Sequence, residues 1–511
     1  MQSLIARALG SEGDPLNYGC ERCELEFMEM RETSSPSQAH PNGRLSAGVL
    51  GTADIVFMVI AAAAPMAVVV ALMPLAFAFG NGSGVPGVWL AAVAAMLLFA
   101  VGYVRIIPFV RNAGAFYAYI SASLGREWGL GAAYVAAFSY FALACSTLGA
   151  LAFFSEQLLQ TLTGRSLHWS MWAFLALAVI SWLAYRRIAL AATILGVALI
   201  AETAIILLLD VKIVHDIPLR AFEISDFLPS RVLAPGLGIA AIYAFNSMIG
   251  VEGTAIYQEE ARNRAVTIPR ATYLAVTLVG LFYVFTAWCL ASSVGAGTVA
   301  GIARSSPGTF LADSSMAHLG KPGAMAVSVL VLTSALAATL GLFNNSARYL
   351  YALARDGLLP RALAKTHPRH HSPHVAALVL SVAMCLVFAS AAVMGLDPLV
   401  NVATALTGLG SVGLMALLGV TSLAIPVFFA RRGLMTPVNS GPPAVGGLVI
   451  LTATILAFLN YPDLTGVTST LINHLPYALI LLFASGVTQS LWLRASRPDV
   501  YGHIGSSRVD G

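Results

Sequence analysis

The chain has 511 residues, 58% of them hydrophobic and 10% charged, with a formal net charge of +4 and a mean hydropathy of +0.80. Soluble proteins carry about 25% charged residues, so a soluble enzyme, a disordered chain and a collagen-like repeat are all excluded. The basic residues sit in short loops rather than in one patch, which leaves no footprint for nucleic acid. A long polytopic membrane protein remains.

The first element is a tail. Residues 12–32 hold seven acids and residues 34–46 are rich in Ser and Pro, so residues 1–50 read as a solvated, disordered cytoplasmic segment. No apolar stretch with a cleavage site precedes the first span, which argues against a signal peptide. Met28 and Met30 offer alternative starts that would remove most of the acidic stretch. Cys20 and Cys23 form a pair, but a zinc site needs about four ligands and no second pair follows, so no metal is expected there. Cys145, Cys289 and Cys385 lie in apolar runs, and the five cysteines give no disulfide framework.

A bilayer core takes about 20 apolar residues per helix. Gly, Pro and charge punctuation then predicts twelve spans, approximately 54–79, 86–110, 128–160, 168–185, 188–211, 235–257, 271–294, 323–352, 374–395, 400–429, 444–460 and 473–494. With the N-terminus inside, 22 of the 28 Lys and Arg residues fall in cytoplasmic segments. One wrong span would swap the sides of every later loop, so this bias supports both the count and an orientation with both termini cytoplasmic, in a plasma (inner) membrane.

Two spans are interrupted. Span 1 runs through Ala61, Ala62, Ala63 and Ala64 into Pro65, which lacks an N–H and clashes with the preceding turn. Span 6 places Asn246, Ser247, Gly250, Glu252 and Gly253 close together, poor helix formers with a charge at membrane depth. The breaks are five spans apart, so the two helices enter from opposite sides. That is the pattern of an inverted repeat with its binding site between the halves. Freed N–H groups attract a carboxylate and freed carbonyls an ammonium, which suits a zwitterion. Alone, either break reads as a kink or a packing contact; the matched pair favours a site.

The remaining polar groups follow in order. Glu156 nears the outer end of span 3, Glu202 lies in the middle of span 5, and Glu252 follows the span 6 break. Glu252 is open to two readings, a proton-linked gate or a hydrogen-bonded strut for the unwound stretch. Glu202 reads as a second relay or as part of a local packing network. Thr333 and Ser334 in span 8 are candidate sodium ligands, although such hydroxyls often bond their own helix. Tyr140, Thr404 and Thr407 are candidates to face a pocket. His367, His370, His371 and His374 cluster in one loop and read as solvated rather than metal-binding. With no phosphate-binding glycine loop, ATP-driven transport is not expected.

Three motifs then point to a family. They are the run from Asn246 to Arg270, with Gly250-Val251-Glu252, the acidic pair Glu259-Glu260 and Pro269-Arg270; the run from Phe343 to Pro360, ending Arg355-Asp356-Gly357-Leu358-Leu359-Pro360, with Pro373 beyond it; and Asn112-Ala113-Gly114-Ala115-Phe116-Tyr117-Ala118-Tyr119. Over residues 48–430 the chain resembles the amino acid–polyamine–organocation (APC) permeases. The resemblance implies an all-α, leucine-transporter-like fold of five plus five helices in inverted repeat, with broken helices 1 and 6. It implies secondary transport of amino acids or related amines by alternating access. A substrate carboxylate would sit near Ala62, Ala63 and Ala64, and its amine near Phe245 and Asn246; Met248, Gly250 and Tyr140 complete the expected binding set. Two departures stand out: alanines replace the glycines and serine often found in the helix 1 break, and Asn246 replaces an aromatic lid. Some proton-coupled relatives carry a Lys on helix 5 where Thr193 stands here.

The expected organisation is a tail (1–50), a transport core of helices 1–10 (51–430), and helices 11–12 with a short cytoplasmic tail (431–511). The expected partners are a small amino acid or amine, the lipid bilayer, and a coupling proton or sodium, with Glu202 and Glu252 in coupling or gating and no cofactor. Proton coupling leads; sodium coupling, amine or polyamine exchange, and a nutrient sensor on a transporter fold remain alternatives. A membrane enzyme would need a nucleophile or paired acids at one depth, and only Glu202 and Glu252 approach that. A transporter of the major facilitator type would not break spans 1 and 6.

Overall fold

The computed structural model describes residues 50–110, 116–186, 192–252, 254, 261–367, 372–465 and 469–505. The acidic tail with Cys20, Cys23, Met28 and Met30, the 112–115 part of the third motif, Glu259, Glu260, His370 and His371 lie outside them, as do the side chains of Ala62 and Thr193. Among the described residues the protein is helical, with one isolated parallel bridge between Leu50 and Ala261. Among these residues nine helices are long and apolar enough to cross a membrane, and two shorter apolar helices cover Trp169–Tyr185 and Leu237–Asn246.

Helix α1 covers Thr52–Ala63. Ala64 then adopts a left-handed conformation, φ 45° and ψ 67°, and Pro65 starts the next helical stretch. Proline fits there because a first helical residue has no N–H partner to lose. The chain continues through the π-helical stretch Val68–Leu72 into Met73–Phe79; residues Pro65 to Phe79 together form α2. Next come α3 (Val85–Ile106), α4 (Phe116–Leu124), α5 (Arg126–Thr163), α6 (Trp169–Arg186) and α7 (Ala192–Asp216).

Helix α8 covers Leu237–Asn246 and gives way to turns through Gly250 at φ 111°. A left-handed glycine here lets the backbone turn where a side chain would clash. Then follow α9 (Arg264–Val294), α10 (Val299–Ser305), α11 (Phe310–Arg355, kinked at Gly320), α12 (His374–Val393), α13 (Thr404–Arg431), α14 (Pro437–Leu459), α15 (Tyr477–Ser496) and the short α16 (Pro498–His503).

α5 is the central post. It packs along α11, α13, α15 and α6, while α9 packs on α3 and α7 on α11. One apolar cluster joins Cys145 and Leu148 of α5 to Trp169 of α6, Phe343 of α11 and Phe388 of α12. The outward faces carry exposed Leu175, Val211, Leu386 and Leu481. Apolar groups turned outward along long apolar helices fit hydrocarbon rather than water.

The ends of α2 and α8 approach closely. A Cβ on Gly236 (φ 91°) would lie 2.5 Å from the Gly80 carbonyl, so glycine is required for this contact. It fixes the two interrupted helices against each other.

Candidate functional site

Both interruptions open onto one cavity of about 80 Å³. A buried water needs about 10–15 Å³ on such a measure, so the space suits a few waters or a small solute. Ala63 and Ala64 line it from the α1 break, Asn246 and Ile249 from the end of α8, and α5, α11 and α13 supply the remaining walls. The described lining contains no acidic, basic or histidine side chain. Its hydroxyls are already committed: Ser146 donates to the Ala403 carbonyl at 2.9 Å and pairs with Thr407, and Thr147 bonds back to Leu143 at 3.1 Å. The Asn246 amide has no such commitment among the described residues, so it is free to meet a polar solute.

The broken ends of helix 1 are held from outside the cavity. The Ala63 carbonyl, left without a helical donor, accepts the Tyr283 hydroxyl of α9 at 3.2 Å. The Ala67 N–H donates to the Ser334 hydroxyl of α11 at 3.3 Å. Glu202 of α7 reaches the same junction. Its carboxylate accepts the Thr333 hydroxyl at 3.2 Å, a hydroxyl that also reaches the Leu330 carbonyl at 2.8 Å, and it lies beside Ser334 and the Met66 backbone. A buried carboxylate therefore sits at the start of α2, where unpaired N–H groups and the helix dipole favour negative charge.

Glu252 is held differently. Its side chain accepts the Tyr140 hydroxyl of α5 at 2.8 Å and the Gly250 N–H at 2.8 Å, while its carbonyl accepts the Tyr103 hydroxyl of α3. The Tyr140 ring stacks on Tyr349 of α11, with centroids 5.7 Å apart. The carboxylate thus ties the unwound stretch after α8 to α5, and the Glu252 carbonyl ties it to α3.

A family model of amino acid permeases matches residues 50–485, most of the chain. The chain belongs to the amino acid permease family. The permease is 24% identical over 342 residues to the branched-chain amino acid permease BcaP of Bacillus subtilis (strain 168), covering 63% of this chain and 71% of that one. It is 26% identical over 348 residues to an uncharacterized transporter of Mycobacterium tuberculosis (strain ATCC 25618 / H37Rv), covering 68% and 74%. A crystallised manganese transporter of Eremococcus coleocola shares its fold, with a TM-score of 0.56 at 14% identity over 88% of this chain and 99% of that chain. The permease is a membrane transporter of amino acids and not an enzyme.

The residues expected from sequence fall into three groups in the permease. Ala63, Ala64 and Asn246 meet at the cavity, and Thr407 joins them. Thr333, Ser334 and Glu202 meet each other at the start of α2. Tyr140 and Gly250 meet Glu252. Phe245 and Met248 are buried and do not line the cavity, and Thr404 bonds back to Val400 in the π-helical stretch Pro398–Ala403 that leads into α13. His367 and His374 pair edge to face at 5.6 Å, and the described residues hold no group of three metal ligands. Two buried acids, Asp210 and the loop residue Asp226, are not among the residues the sequence singles out. Asp210 lies in α7, and its place at the end of the run Leu207-Leu208-Leu209 was the available signal.

Proposed function

We propose that this permease carries a small neutral aliphatic amino acid across the plasma membrane by proton-coupled alternating access. The single observation that carries this reading is the uncharged cavity bounded by both interrupted helices. With no acid or base among its described lining residues, the substrate's own two charges must be met by backbone ends and by Asn246. A cationic side chain or a polyamine would find no counter-charge and would lose hydration uncompensated. Ala335, Ala338 and Leu342 of α11 offer apolar contact instead. The name of the Bacillus relative, a branched-chain amino acid permease, agrees with this chemistry.

In this reading twelve helices cross the membrane, the first ten form two inverted five-helix repeats, and both termini face the cytoplasm. The two carboxylates take different parts. Glu202 binds the coupling proton, because it touches the α2 start that forms the cavity wall. Glu252 is the gate strut, because its partners hold the unwound stretch in place. The Thr333 hydroxyl is shared between Glu202 and the Leu330 carbonyl of its own helix, the back-bonding common for such hydroxyls.

The test is thermal stabilisation of the purified protein by neutral, cationic and acidic amino acids and polyamines, at two pH values, with and without sodium. A ligand at about 100 times its Kd adds roughly 2.7 kcal/mol. Stabilisation by Leu, Val, Ile or Ala, stronger at lower pH and indifferent to sodium, is expected. Stabilisation by polyamines alone overturns the substrate class, and a sodium requirement overturns the proton.

A further inference from the structure

Helix α7 carries a second carboxyl that the proposed cycle leaves unused. Asp210 lies eight residues beyond Glu202, about 12 Å along the helix at ~1.5 Å per residue. It is fully buried. Its Oδ2 accepts the Thr286 hydroxyl of α9 at 2.7 Å, while its Oδ1 is buried without a partner among the described residues.

No cation faces it. From α9, the titratable neighbour is Cys289, whose thiol lies 4.0 Å from the Asp210 carbonyl oxygen. On α7 itself, Lys212 and His215 turn to Asp216, and Glu202 turns to Thr333. From α11, His318 also turns to Asp216, and Lys321 is exposed. α1 and α2, which also pack on α7, carry only Asp54, at the far end of α1.

The hydrogen-bond inventory decides the charge state. An ionised carboxylate offers about four acceptor sites, and among the described residues one donor reaches it. An unpaired charge in hydrocarbon is expensive. The neutral acid leaves one polar atom unmatched; the carboxylate would leave a whole charge unmatched.

We infer that Asp210 is a second proton site on α7, protonated in this conformation and releasing its proton to water when the α7–α9 contact opens during the cycle. The step breaks one O–H bond, leaves the electron pair on the carboxylate and passes the proton to solvent; the return step reverses it. The inference rests on the proton-coupled reading of the transporter.

The test combines infrared spectroscopy with transport in proteoliposomes, on wild type, Asp210→Asn and Thr286→Val. Wild type should show a protonated-carboxyl carbonyl band that is absent from Asp210→Asn and displaced in Thr286→Val, where the donor to Oδ2 is lost. Asp210→Asn should keep substrate stabilisation and substrate exchange but lose proton-driven accumulation at least tenfold, with a lower proton-to-substrate ratio. No band difference between wild type and Asp210→Asn overturns the protonated state, and Thr286→Val provides the comparison if the Asn variant does not fold. A band present in wild type together with unaltered accumulation and stoichiometry in Asp210→Asn overturns the proton-site role and leaves a fixed neutral acid. Should no amino acid stabilise wild type, the transport reading fails separately, while the band still reports on Asp210.

Discussion

Thr333 of α11 donates to Glu202 of α7 at 3.2 Å, and its neighbour Ser334 accepts the Ala67 N–H of α2 at 3.3 Å. Neighbouring hydroxyls of α11 thus link a carboxylate on α7 to the start of α2 beside the cavity. A donor bond to a charged group contributes about 1.5–3 kcal/mol, so the protonation state of Glu202 bears on how α11 is held at this junction.

The first prediction follows from that junction. Glu202→Gln keeps the side-chain length and removes the titration. Uptake driven by an imposed pH gradient should fall at least tenfold, while exchange of substrate across the membrane persists, measured in proteoliposomes. A variant that still accumulates substrate with the wild-type pH profile would remove Glu202 from coupling.

Much of this arrangement was legible in the sequence, and the reasons are physical. Hydrophobic run length and charge punctuation marked the long helices because a bilayer imposes one length on every crossing. The span 1 break is visible in Pro65, although the turn itself falls on Ala64, one residue earlier, since proline disfavours right-handed helical backbone in the residue before it. Side-chain partnership was not legible. Tyr140 was a pocket candidate by position, and its hydroxyl points to Glu252 instead. Nothing in the spacing of Glu202, Thr333 and Met66 shows that three helices bring them together, since helix rotation is set by packing.

The Glu252 strut gives a contrasting prediction. Tyr140→Phe removes the hydroxyl donor to the Glu252 carboxylate, leaving the Gly250 N–H, and should destabilise the protein by about 1–3 kcal/mol, read as a lower melting temperature. Glu252→Gln can offer its amide oxygen to the fixed Gly250 N–H and its NH2 to Tyr140, whose hydroxyl can turn to accept. It should therefore be better tolerated than Glu252→Ala. Both Glu252→Gln and Tyr140→Phe should slow uptake without moving its pH profile. A displaced profile in Glu252→Gln would make Glu252 a proton carrier rather than a strut.

Ala64 supplies a backbone prediction. It is the one non-glycine residue with positive φ among those described. Left-handed backbone costs an L-residue about 1–2 kcal/mol relative to its usual conformation, and a β-branched side chain fares worse. Ala64→Gly should hold or raise the melting temperature, and Ala64→Val should lower it. A stabilising valine would show that the helix 1 break does not turn at this residue.

The last prediction concerns pH and a loop carboxyl outside the spans. Asp226 is buried, and burial, reinforced by nearby Glu223, pushes its carboxyl up from an ordinary 3.8 to about 6. Between those values the folded protein holds a proton that the unfolded chain has released. Stability at this site therefore falls as pH rises from about 4 to about 6, and the loss is complete above that window. Asp226→Asn removes the titration, so its melting temperature relative to wild type should climb from pH 4.5 to pH 7. Asp216 makes a control. Hydrogen bonds from His215, then His318 and Lys212, hold its carboxyl well below the ordinary aspartate range, so its own ionisation is complete throughout that interval. Its stabilising contribution is lost only as pH falls through the lowered range. A constant difference between Asp226→Asn and wild type at every pH would show that Asp226 does not titrate in this window.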